Sequence, residues 1–453
     1  MSNQFKAFIR QALAVGITTA AMQWSFAEPI KTLDEALAKV ERYQNQSDIG
    51  QQRQSISELN IKNSGLWQNP SLNINQDGLG SNTDRELSIA ISQPLDVFGQ
   101  RKLNQKLAET AQQQGQLQQQ LWTAQSQLVV KFAWSQLALA QVEKSLYAAQ
   151  LKVSQNNLDS AKKRYQAGSI ALVDYERAQI ESLDMQRLYQ QAVLSEQVAQ
   201  RQLSNLWGET KADIQLNATS MPWPDQSDAT VQRYIAEGWL EKLYALNIQQ
   251  SNLNIESLKV QARPNPTLNV GMKRSQAPNE SSDTTLGVGV DIPLNIFNRQ
   301  QYSIPMAQRQ QSLLNQQQQR ELKQQILDIA NAMHELKGLN KQFSSMSQQT
   351  TLAEQVQVRT LQGFKAGKLS ITDIQQANSQ LQSIRLGQLQ LLRQAWQTAL
   401  SAEALSLGTS YEQISSSDAY SQISKNSIAQ IQDLIPVSYT HLRAHETGSN
   451  LVC

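Results

Sequence analysis

Hydrophobic residues recur along this chain with two different spacings, and the two spacings predict two kinds of element. In short segments, apolar residues alternate with polar ones, which is typical of a β-strand with one apolar face. Leu72 and Ile74 show this alternation, and Leu87, Ile89 and Ile91 repeat it. In much longer segments, apolar residues recur every seven positions, which is typical of α-helices packed along one another.

The second half of the chain contains two further strand candidates with the same alternation. Their apolar positions are Leu268, Val270 and Met272 in one, and Leu286, Val288, Val290 and Ile292 in the other. Polar loops separate the members of each pair, Asp77 to Asp84 and Arg274 to Asp283. Alternation alone favours a transmembrane barrel wall and a half-buried soluble sheet equally, so it does not choose between them.

Two very long helices are predicted, from Gln100 to Tyr165 and from Met306 to Gln362. Neither contains proline, and each contains one glycine. A helix of about 65 residues is about 98 Å long. The seven-residue seams predict left-handed coiled-coil packing, and they consist of Phe132, Leu139, Leu146 and Val153, and of Leu322, Ile329, Leu336 and Phe343.

Each long helix is followed by a short glycine turn and a returning helix. Gly168 and Gly367 are expected to take the left-handed conformation that ends a helix. The returning helices are predicted from Val173 to Leu206 and from Thr372 to Leu407. A further helix, from Thr32 to Lys62, is predicted before the first strand, because Thr32 and Glu35 have the spacing of a capping box.

The two halves of the chain are a duplication. The repeated segments are Asn69-Pro70 and Asn265-Pro266, Pro94 to Phe98 and Pro293 to Phe297, Ala167-Gly168 and Ala366-Gly367, and Asp174 and Asp373. This period is far longer than the 20 to 50 residues of a solenoid repeat. We therefore predict a mainly α protein with a small β part, built as a duplicated half-molecule of two strands plus long helices.

The duplication and the composition of the segments predict the domain bounds. Residues 1–27 have the charged, apolar and small-residue regions of a secretory signal peptide, with a retained membrane anchor as the alternative. The first repeat is predicted at 28–220, a linker at 221–228, the second repeat at 229–410, and a C-terminal segment at 411–435. Residues 436–453 have no counterpart in the duplication, and we interpret them as a non-native tail rather than a His/Cys metal site.

Composition limits the possible functions. The chain has 453 residues, 40 basic and 38 acidic, and a formal net charge of +2, which argues against a nucleic-acid partner. Its glutamine runs contain leucines at helical spacing, so we favour helix over disorder there.

The sequence has no nucleotide-binding motif and no nucleophile motif, and its lone mid-helix histidine, His334, is not a metal site. We predict neither an enzyme nor a cofactor.

If the strands cross a membrane, one chain cannot form the wall alone. An open sheet edge is not tolerated in a bilayer, because its backbone groups lack partners. The smallest spanning barrels have about eight strands, and this chain supplies four. Several chains must then contribute to one barrel, and the long helices would continue beneath it.

The residues at the strand-to-helix junctions resemble those of the outer-membrane factor family, the TolC-type efflux channels. The resemblance extends from Thr32 to Gly408. Its marks are the Asn-Pro pairs, the segments Ser92 to Arg101 and Asp291 to Arg299, and the two Ala-Gly turns, and the junctions look most like those of the heavy-metal, cobalt-zinc-cadmium branch.

The resemblance implies an architecture, a location and partners. It implies a homotrimer with a twelve-stranded outer-membrane β-barrel, continued by a periplasmic α-helical barrel. It also implies a periplasmic adaptor and an inner-membrane pump as partners, so that the chain itself would conduct substrate passively. The alternative that the sequence leaves open is a periplasmic coiled-coil scaffold or adaptor without a pore.

The family resemblance also assigns candidate site residues. Adaptor-contact candidates are at the hairpin tips, Gly168, Ser169, Ile170, Gly367, Lys368 and Leu369, with ordinary helix caps as the alternative. Asp373 is the candidate pore constriction. Three copies of Asp373 around the pore axis would favour cations and would raise the pKa of their own carboxyl groups. Gln376 stands where some members of the family have a second carboxylate. A helix N-terminal role explains Asp373 equally well. Tyr165 and Phe364 are expected to pack near the tips, either within a helix pair or between hairpins.

Overall fold

The computed structural model describes most of the chain between residues 29 and 423. The described ranges are 29–45, 49–78, 84–210, 214, 222–277, 281–416 and 418–423. The predicted signal peptide, 1–27, and the predicted tail, 436–453, lie outside these residues. So does most of the C-terminal segment after residue 423.

The described elements occur in the same order in both halves of the chain. The first half contains α1 (Leu33–Asn45), α2 (Ile49–Ser64), β1 (Ser71–Asp77), β2 (Arg85–Pro94), α3 (Gln100–Gln166) and α4 (Leu172–Asn205). The second half contains α5 (Asp228–Glu237), α6 (Trp239–Gln261), β3 (Thr267–Gln276), β4 (Asp283–Asp291), α7 (Ser303–Lys365) and α8 (Ile371–Ser406), followed by α9 (Tyr411–Ser415). The structure is therefore mainly helical with a small sheet, as the sequence predicts.

The helix predicted from Thr32 to Lys62 is present as two helices, α1 and α2, with residues 46–48 between them outside the described ranges. The capping box is confirmed. The Glu35 backbone N–H donates to Thr32 Oγ1 at 3.2 Å, and the Thr32 N–H donates to the Glu35 carboxylate at 3.3 Å.

The two long helices each pack against their returning helix, and we call α3–α4 the first hairpin and α7–α8 the second hairpin. α3 has 67 residues and α7 has 63, so each is about 100 Å long. The predicted seams are buried at Leu139, Ile329 and Leu336. The other seam residues are half-buried.

The four strands form one antiparallel sheet in the order β1-β2-β3-β4. β2 pairs with β3, so the central ladder joins the two halves of the chain. All four strands run between the same two ends of the sheet. At the helix end the chain enters the sheet from α2 and α6 and leaves it into the long helices α3 and α7, and at the loop end it passes through the two polar loops.

Small cores lie between the helices where the two halves meet. Trp223, in the predicted linker, packs against Phe343 of α7 with ring centroids 5.1 Å apart. Tyr411 of α9 contacts Phe132 of α3 edge-on at 5.9 Å. The linker and the start of the C-terminal segment thus pack against the hairpins, while their predicted bounds stay predictions.

Candidate functional site

The register of the sheet separates apolar from polar side chains onto opposite faces. Directly paired residues of antiparallel strands point to the same side. One row across the sheet is Leu72, Ile91, Val270 and Val288, and the next is Ile74, Ile89, Met272 and Leu286. We call this the apolar face. It is uncovered in the single chain, since Leu286 is 87% and Val288 75% exposed.

The opposite side, which we call the polar face, contains small and hydrophilic residues. Its rows include Asn75, Ser88, Lys273 and Thr285, and Asn73, Ala90, Gly271 and Gly287. Gly271 is required here, because a Cβ atom would lie 2.8 Å from Ala90 Cβ and from the Ile89 carbonyl oxygen. A sheet with one exposed apolar face and one polar face has the pattern of a membrane-barrel wall.

Acidic residues collect on the polar face near the loop end. Asp77, Glu86 and Asp283 share one row with Ser275. Lys273 lies in the neighbouring row and pairs with Glu86 at 2.5 Å. At the helix end, Asp291 accepts a hydrogen bond from Asn269. The sequence analysis did not identify this row, which becomes visible only when the register of the strands is known.

Both edges of the sheet are unpaired within the described part of the chain. β1 pairs only with β2, and β4 pairs only with β3. Every residue of β1 and of β4 is exposed. The outer backbone groups of these strands therefore have no partner in the sheet, as expected when the sheet is one segment of a larger wall.

The two hairpins end in turns of the same geometry. Gly168 and Gly367 have φ of 71° and 76°, which confirms the predicted left-handed caps. The Ser169 N–H donates to the Arg164 carbonyl at 2.8 Å, and the Lys368 N–H donates to the Gly363 carbonyl at 2.9 Å. These are the bonds of a Schellman motif.

The candidate contact residues lie on the outside of the turns. Gly168, Ser169, Gly367, Lys368 and Leu369 are exposed. The sixth candidate, Ile170, is half-buried and packs into a small apolar cluster behind the turns. Five of the six are therefore accessible to another protein in the single chain, and their contact with an adaptor remains a prediction.

Tyr165 and Phe364 occupy equivalent positions in the duplication but different surroundings in the structure. Tyr165 stacks on Tyr175 within the first hairpin, with ring centroids 5.6 Å apart and planes 4° apart. Phe364 is 1% exposed, in a cluster that includes Ala161 and Ala178 of the first hairpin. In the single chain, Tyr165 therefore packs within its own hairpin, and Phe364 packs in a cluster that both hairpins share, while their role in holding the tips closed remains a prediction.

Arg164 joins the two hairpins beside Phe364. Its Nη1 donates to the Phe364 carbonyl at 3.1 Å, and its guanidinium lies 4.3 Å from the centre of the Phe364 ring. Farther from the turns, Asn378 of α8 donates to Glu181 of α4 at 3.1 Å. These contacts place both turns at the same end of the molecule.

Asp373 forms a capping box with Ser370 at the start of α8. The Ser370 N–H and hydroxyl each donate to the Asp373 carboxylate at 2.7 Å, and the Asp373 N–H donates to Ser370 Oγ at 3.2 Å. The Ser370 hydroxyl and N–H lower the pKa of Asp373. In the single chain Asp373 thus has the helix N-terminal role, and a pore role for three copies remains a prediction.

The described residues contain neither a metal cluster nor an apolar spanning helix. No group of three or more His, Cys, Asp or Glu in the described ranges could hold a metal ion. Within those ranges, no helix has both the length and the apolar character needed to cross a membrane. His334 is exposed on α7.

Comparisons with known proteins agree with this geometry. The family model for outer membrane efflux proteins matches residues 30–209. The chain is 23% identical over 363 residues to the cobalt-zinc-cadmium resistance protein CzcC of Cupriavidus metallidurans, covering 78% of this chain and 85% of the relative. The resemblance to efflux channels, and to their heavy-metal branch, is confirmed.

Solved structures share the fold. The outer membrane protein VceC of Vibrio cholerae aligns with a TM-score of 0.65 at 14% identity, over 84% of this chain and 97% of VceC. CusC, for which conformational changes accompany transmembrane channel formation, aligns with a TM-score of 0.58 at 18% identity, over 90% of this chain and 93% of CusC. The predicted combination of long hairpins and a small sheet is therefore the fold of known outer-membrane channels.

Proposed function

Because this chain is a relative of the outer membrane efflux proteins, we propose that it is the exit duct of a tripartite efflux system. It would conduct substrate passively across the outer membrane, as three copies assembled around one pore. The observation that carries the proposal is the four-stranded sheet with an exposed apolar face, a polar face and two unpaired edges. The comparisons support a channel over the alternative of a periplasmic scaffold or adaptor without a pore.

Closure of the wall explains the unpaired edges. In a bilayer the outer backbone groups of β1 and β4 have no water to bond, so a spanning sheet must have no open edge. The β4 edge of one copy can pair with the β1 edge of the next. Three copies of four strands give a closed wall of twelve, within the range of known outer-membrane barrels. The apolar face then contacts lipid, and the polar face lines the pore.

The long hairpins provide the periplasmic part of the duct. They continue from the helix end of the sheet for about 100 Å, and their sequences are rich in Gln, Ser and Asn. Side chains of this kind suit a surface wetted by water. The turns lie at the far end, so Gly168 and Gly367 are placed where an adaptor can reach them, and an inner-membrane pump would supply the energy.

The charges on the polar face favour cations as cargo. Asp77, Glu86, Asp283 and Asp291 face the proposed pore, whereas the strands contribute one base to that face, Lys273. A ring of carboxylates raises the local cation concentration and repels anions. The relative CzcC is named for cobalt, zinc and cadmium resistance, and we propose divalent metal ions as the substrate class.

Planar-bilayer recording tests both parts of the proposal. Protein purified from outer membranes is expected to give discrete conductance steps and a reversal potential that shows cation preference. The triple variant Asp77→Asn, Glu86→Gln, Asp283→Asn should keep the conductance steps and lose much of the preference.

A matched variant controls for net charge. Asp34→Asn, Glu41→Gln, Glu58→Gln removes three exposed carboxylates from α1 and α2, away from the sheet. It should keep the cation preference. Equal selectivity in both triple variants would refute the cation proposal. If the wild type gives no conductance steps, a variant with both hairpin turns substituted is recorded next. An absence of steps in both proteins would refute the duct itself.

A further inference from the structure

Two arginines lie on the apolar face of the sheet, where a lipid-facing wall is expected to be uncharged. Arg85 is on the same side of β2 as Leu87, Ile89 and Ile91, since side chains alternate along a strand. Arg274 is on the same side of β3 as Met272. Both arginines are exposed, and both follow the last apolar row toward the loop end.

The register brings the two arginines together. Arg85 pairs with Gln276, and Arg274 pairs with Leu87, so the arginines are diagonal neighbours on adjacent strands. Diagonal neighbours are about 7–8 Å apart. One shallow groove is lined by the four residues of these two pairs, together with Gln76 and Gly78. The groove thus presents two guanidinium groups and two side-chain amides on the outer side of the wall.

Neither guanidinium has a carboxylate partner among the described residues. Arg274 instead donates a hydrogen bond from Nη2 to Ser282 Oγ at 3.0 Å. The neighbouring base, Lys273, is on the polar face and pairs with Glu86. The acidic row of Asp77, Glu86 and Asp283 also lies on the polar face, behind the sheet from the arginines. As far as the described residues go, the two guanidinium groups are therefore open to an external anion.

Position within the membrane limits what that anion can be. A charged side chain on a lipid-facing wall is strongly unfavourable at the bilayer midplane and nearly neutral at the headgroup level. The arginine pair therefore marks the outer headgroup level, beyond the apolar rows. Guanidinium forks bind phosphate oxygens in a bidentate manner, and basic pockets on membrane proteins bind anionic headgroups.

We propose that Arg85 and Arg274 form a binding site for the phosphate groups of the phosphorylated glycolipid in the outer leaflet of the outer membrane. The site rests on the proposed function, because it requires the apolar face to contact lipid. Two guanidiniums at this separation can bind a single phosphate or one phosphorylated sugar headgroup. In a closed assembly of three copies the site occurs three times around the rim.

Native mass spectrometry of the full chain in detergent tests the proposal. The probe is diphosphorylated lipid A, with its dephosphorylated form and inorganic phosphate as comparisons. The wild type is expected to bind the diphosphorylated lipid, and Arg85→Gln, Arg274→Gln should bind it about tenfold or more weakly. The dephosphorylated lipid should bind both proteins equally weakly, and inorganic phosphate should not displace the lipid.

Two further variants make the result specific. Lys273→Gln removes a charge from the adjacent position on the polar face and should bind lipid as the wild type does. The double variant Arg85→Lys, Arg274→Lys keeps both charges but loses the guanidinium forks, so it should bind the lipid several-fold more weakly than the wild type does. This variant decides the test if the glutamine variant fails to assemble. Equal binding by wild type and both arginine variants would overturn the proposal.

The remaining outcomes separate the site from the duct. Equal binding of phosphorylated and dephosphorylated lipid, or displacement by inorganic phosphate, would also overturn the glycolipid site. The same preparations should be recorded in bilayers made of phosphatidylcholine alone. Normal conductance steps with no phosphate-dependent lipid binding would refute only the site, whereas proteins that form no channels would refute the proposed function.

Discussion

The guanidinium of Arg164 lies 4.3 Å from the centre of the Phe364 ring, and its Nη1 donates to the Phe364 carbonyl oxygen. These residues are on different hairpins, each one turn before a glycine cap. The contact therefore holds together the ends of two helices that are each about 100 Å long. Any opening of the turns that separates the hairpins must break it.

Replacing Phe364 should loosen the ends of the hairpins more than replacing Tyr165. Phe364→Ala removes a ring that is 1% exposed between the hairpins, and such truncations cost about 3–5 kcal/mol. Tyr165 is 39% exposed and stacks within its own hairpin, so Tyr165→Ala should have the smaller effect. Hydrogen exchange of peptides that span both turns measures the difference. Equal deprotection in the two variants would contradict the asymmetry.

Alanine substitutions at glycine should have opposite effects at the turns and in the helices. Gly168 and Gly367 have positive φ and open space around an added Cβ, so alanine there costs about 1–2 kcal/mol of backbone strain alone. Gly115 and Gly338 have equally open surroundings and are inside α3 and α7. Alanine at those positions should stabilise the helix by about 0.5–1 kcal/mol.

Local hydrogen exchange again provides the readout for the glycine variants. Protection should fall around the substituted turn in Gly168→Ala and Gly367→Ala. It should rise around the substituted position in Gly115→Ala and Gly338→Ala. The same direction of change in all four variants would show that backbone conformation is not the controlling factor.

The attachment of α1 should weaken in acid. Burial raises the pKa of Glu209, and hydrogen bonds donated by Lys39 and Trp207 lower it. The hydrogen bonds outweigh burial, so the pKa of Glu209 lies below its ordinary value. Lys39 Nζ lies 2.8 Å from the Glu209 carboxylate. Because the pKa of Glu209 is lowered in the folded state, the contact stabilises the fold at pH values above the ordinary carboxyl pKa. This stability is lost as pH falls through the pKa of the folded state.

Glu209→Gln should therefore increase hydrogen exchange in α1 at neutral pH, after correction for intrinsic rates. The difference from the wild type should shrink as pH falls below the ordinary carboxyl pKa, and it should vanish once Glu209 is protonated in the folded state as well. Glu41→Gln changes an exposed carboxylate on the same helix and should have little effect. A Glu209→Gln difference that persists unchanged into acid would refute the charge-based explanation.

Asp373 is predicted to contribute to cation selectivity at the narrow end of the duct. Its pKa is lowered in the single chain, so it is ionised at neutral pH. Asp373→Asn should reduce cation preference in single-channel recordings. Asp174→Asn is the matched control, because Asp174 occupies the equivalent position and lies 3.6 Å from Arg177, which screens its charge. Unchanged selectivity in Asp373→Asn would discard the pore role.

Most of the architecture follows from local patterns that the sequence displays directly. The seven-residue seams and the absence of proline located α3 and α7, whose observed bounds differ from the predicted ones by three residues or fewer. Gly168 and Gly367 ended the helices where the left-handed cap was expected. Such features depend on the residues of one segment, so one sequence suffices to predict them.

Features that depend on contacts between distant segments could not be predicted in the same way. Nothing in the sequence distinguishes Phe364 from Tyr165, because their difference arises only when the second hairpin packs on the first. The rows that unite Asp77 with Glu86, and Arg85 with Arg274, require the register of β1, β2 and β3. Ser370 was also missed, although a serine three residues before Asp373 is a detectable capping signal.

Cysteine cross-linking between the two sheet edges tests the central claim, that copies of this chain join edge to edge into a closed wall. Ile74→Cys in β1 is combined in turn with Leu286→Cys, Val288→Cys or Val290→Cys in β4, in a Cys453→Ser background. Within one chain these strands are separated by two others, about 14 Å at the usual strand spacing, which is beyond disulfide reach. Ile74→Cys with Ile89→Cys, directly paired in one chain, is the control and should give a cross-linked monomer.

Oxidation in isolated outer membranes, followed by non-reducing electrophoresis, gives the answer. We predict covalent dimers and trimers in at least one of the three edge pairs, with the trimer as the largest species. Monomers alone in all three pairs, alongside a cross-linked control, would contradict the closed wall. A ladder that extends beyond the trimer would contradict closure by three copies.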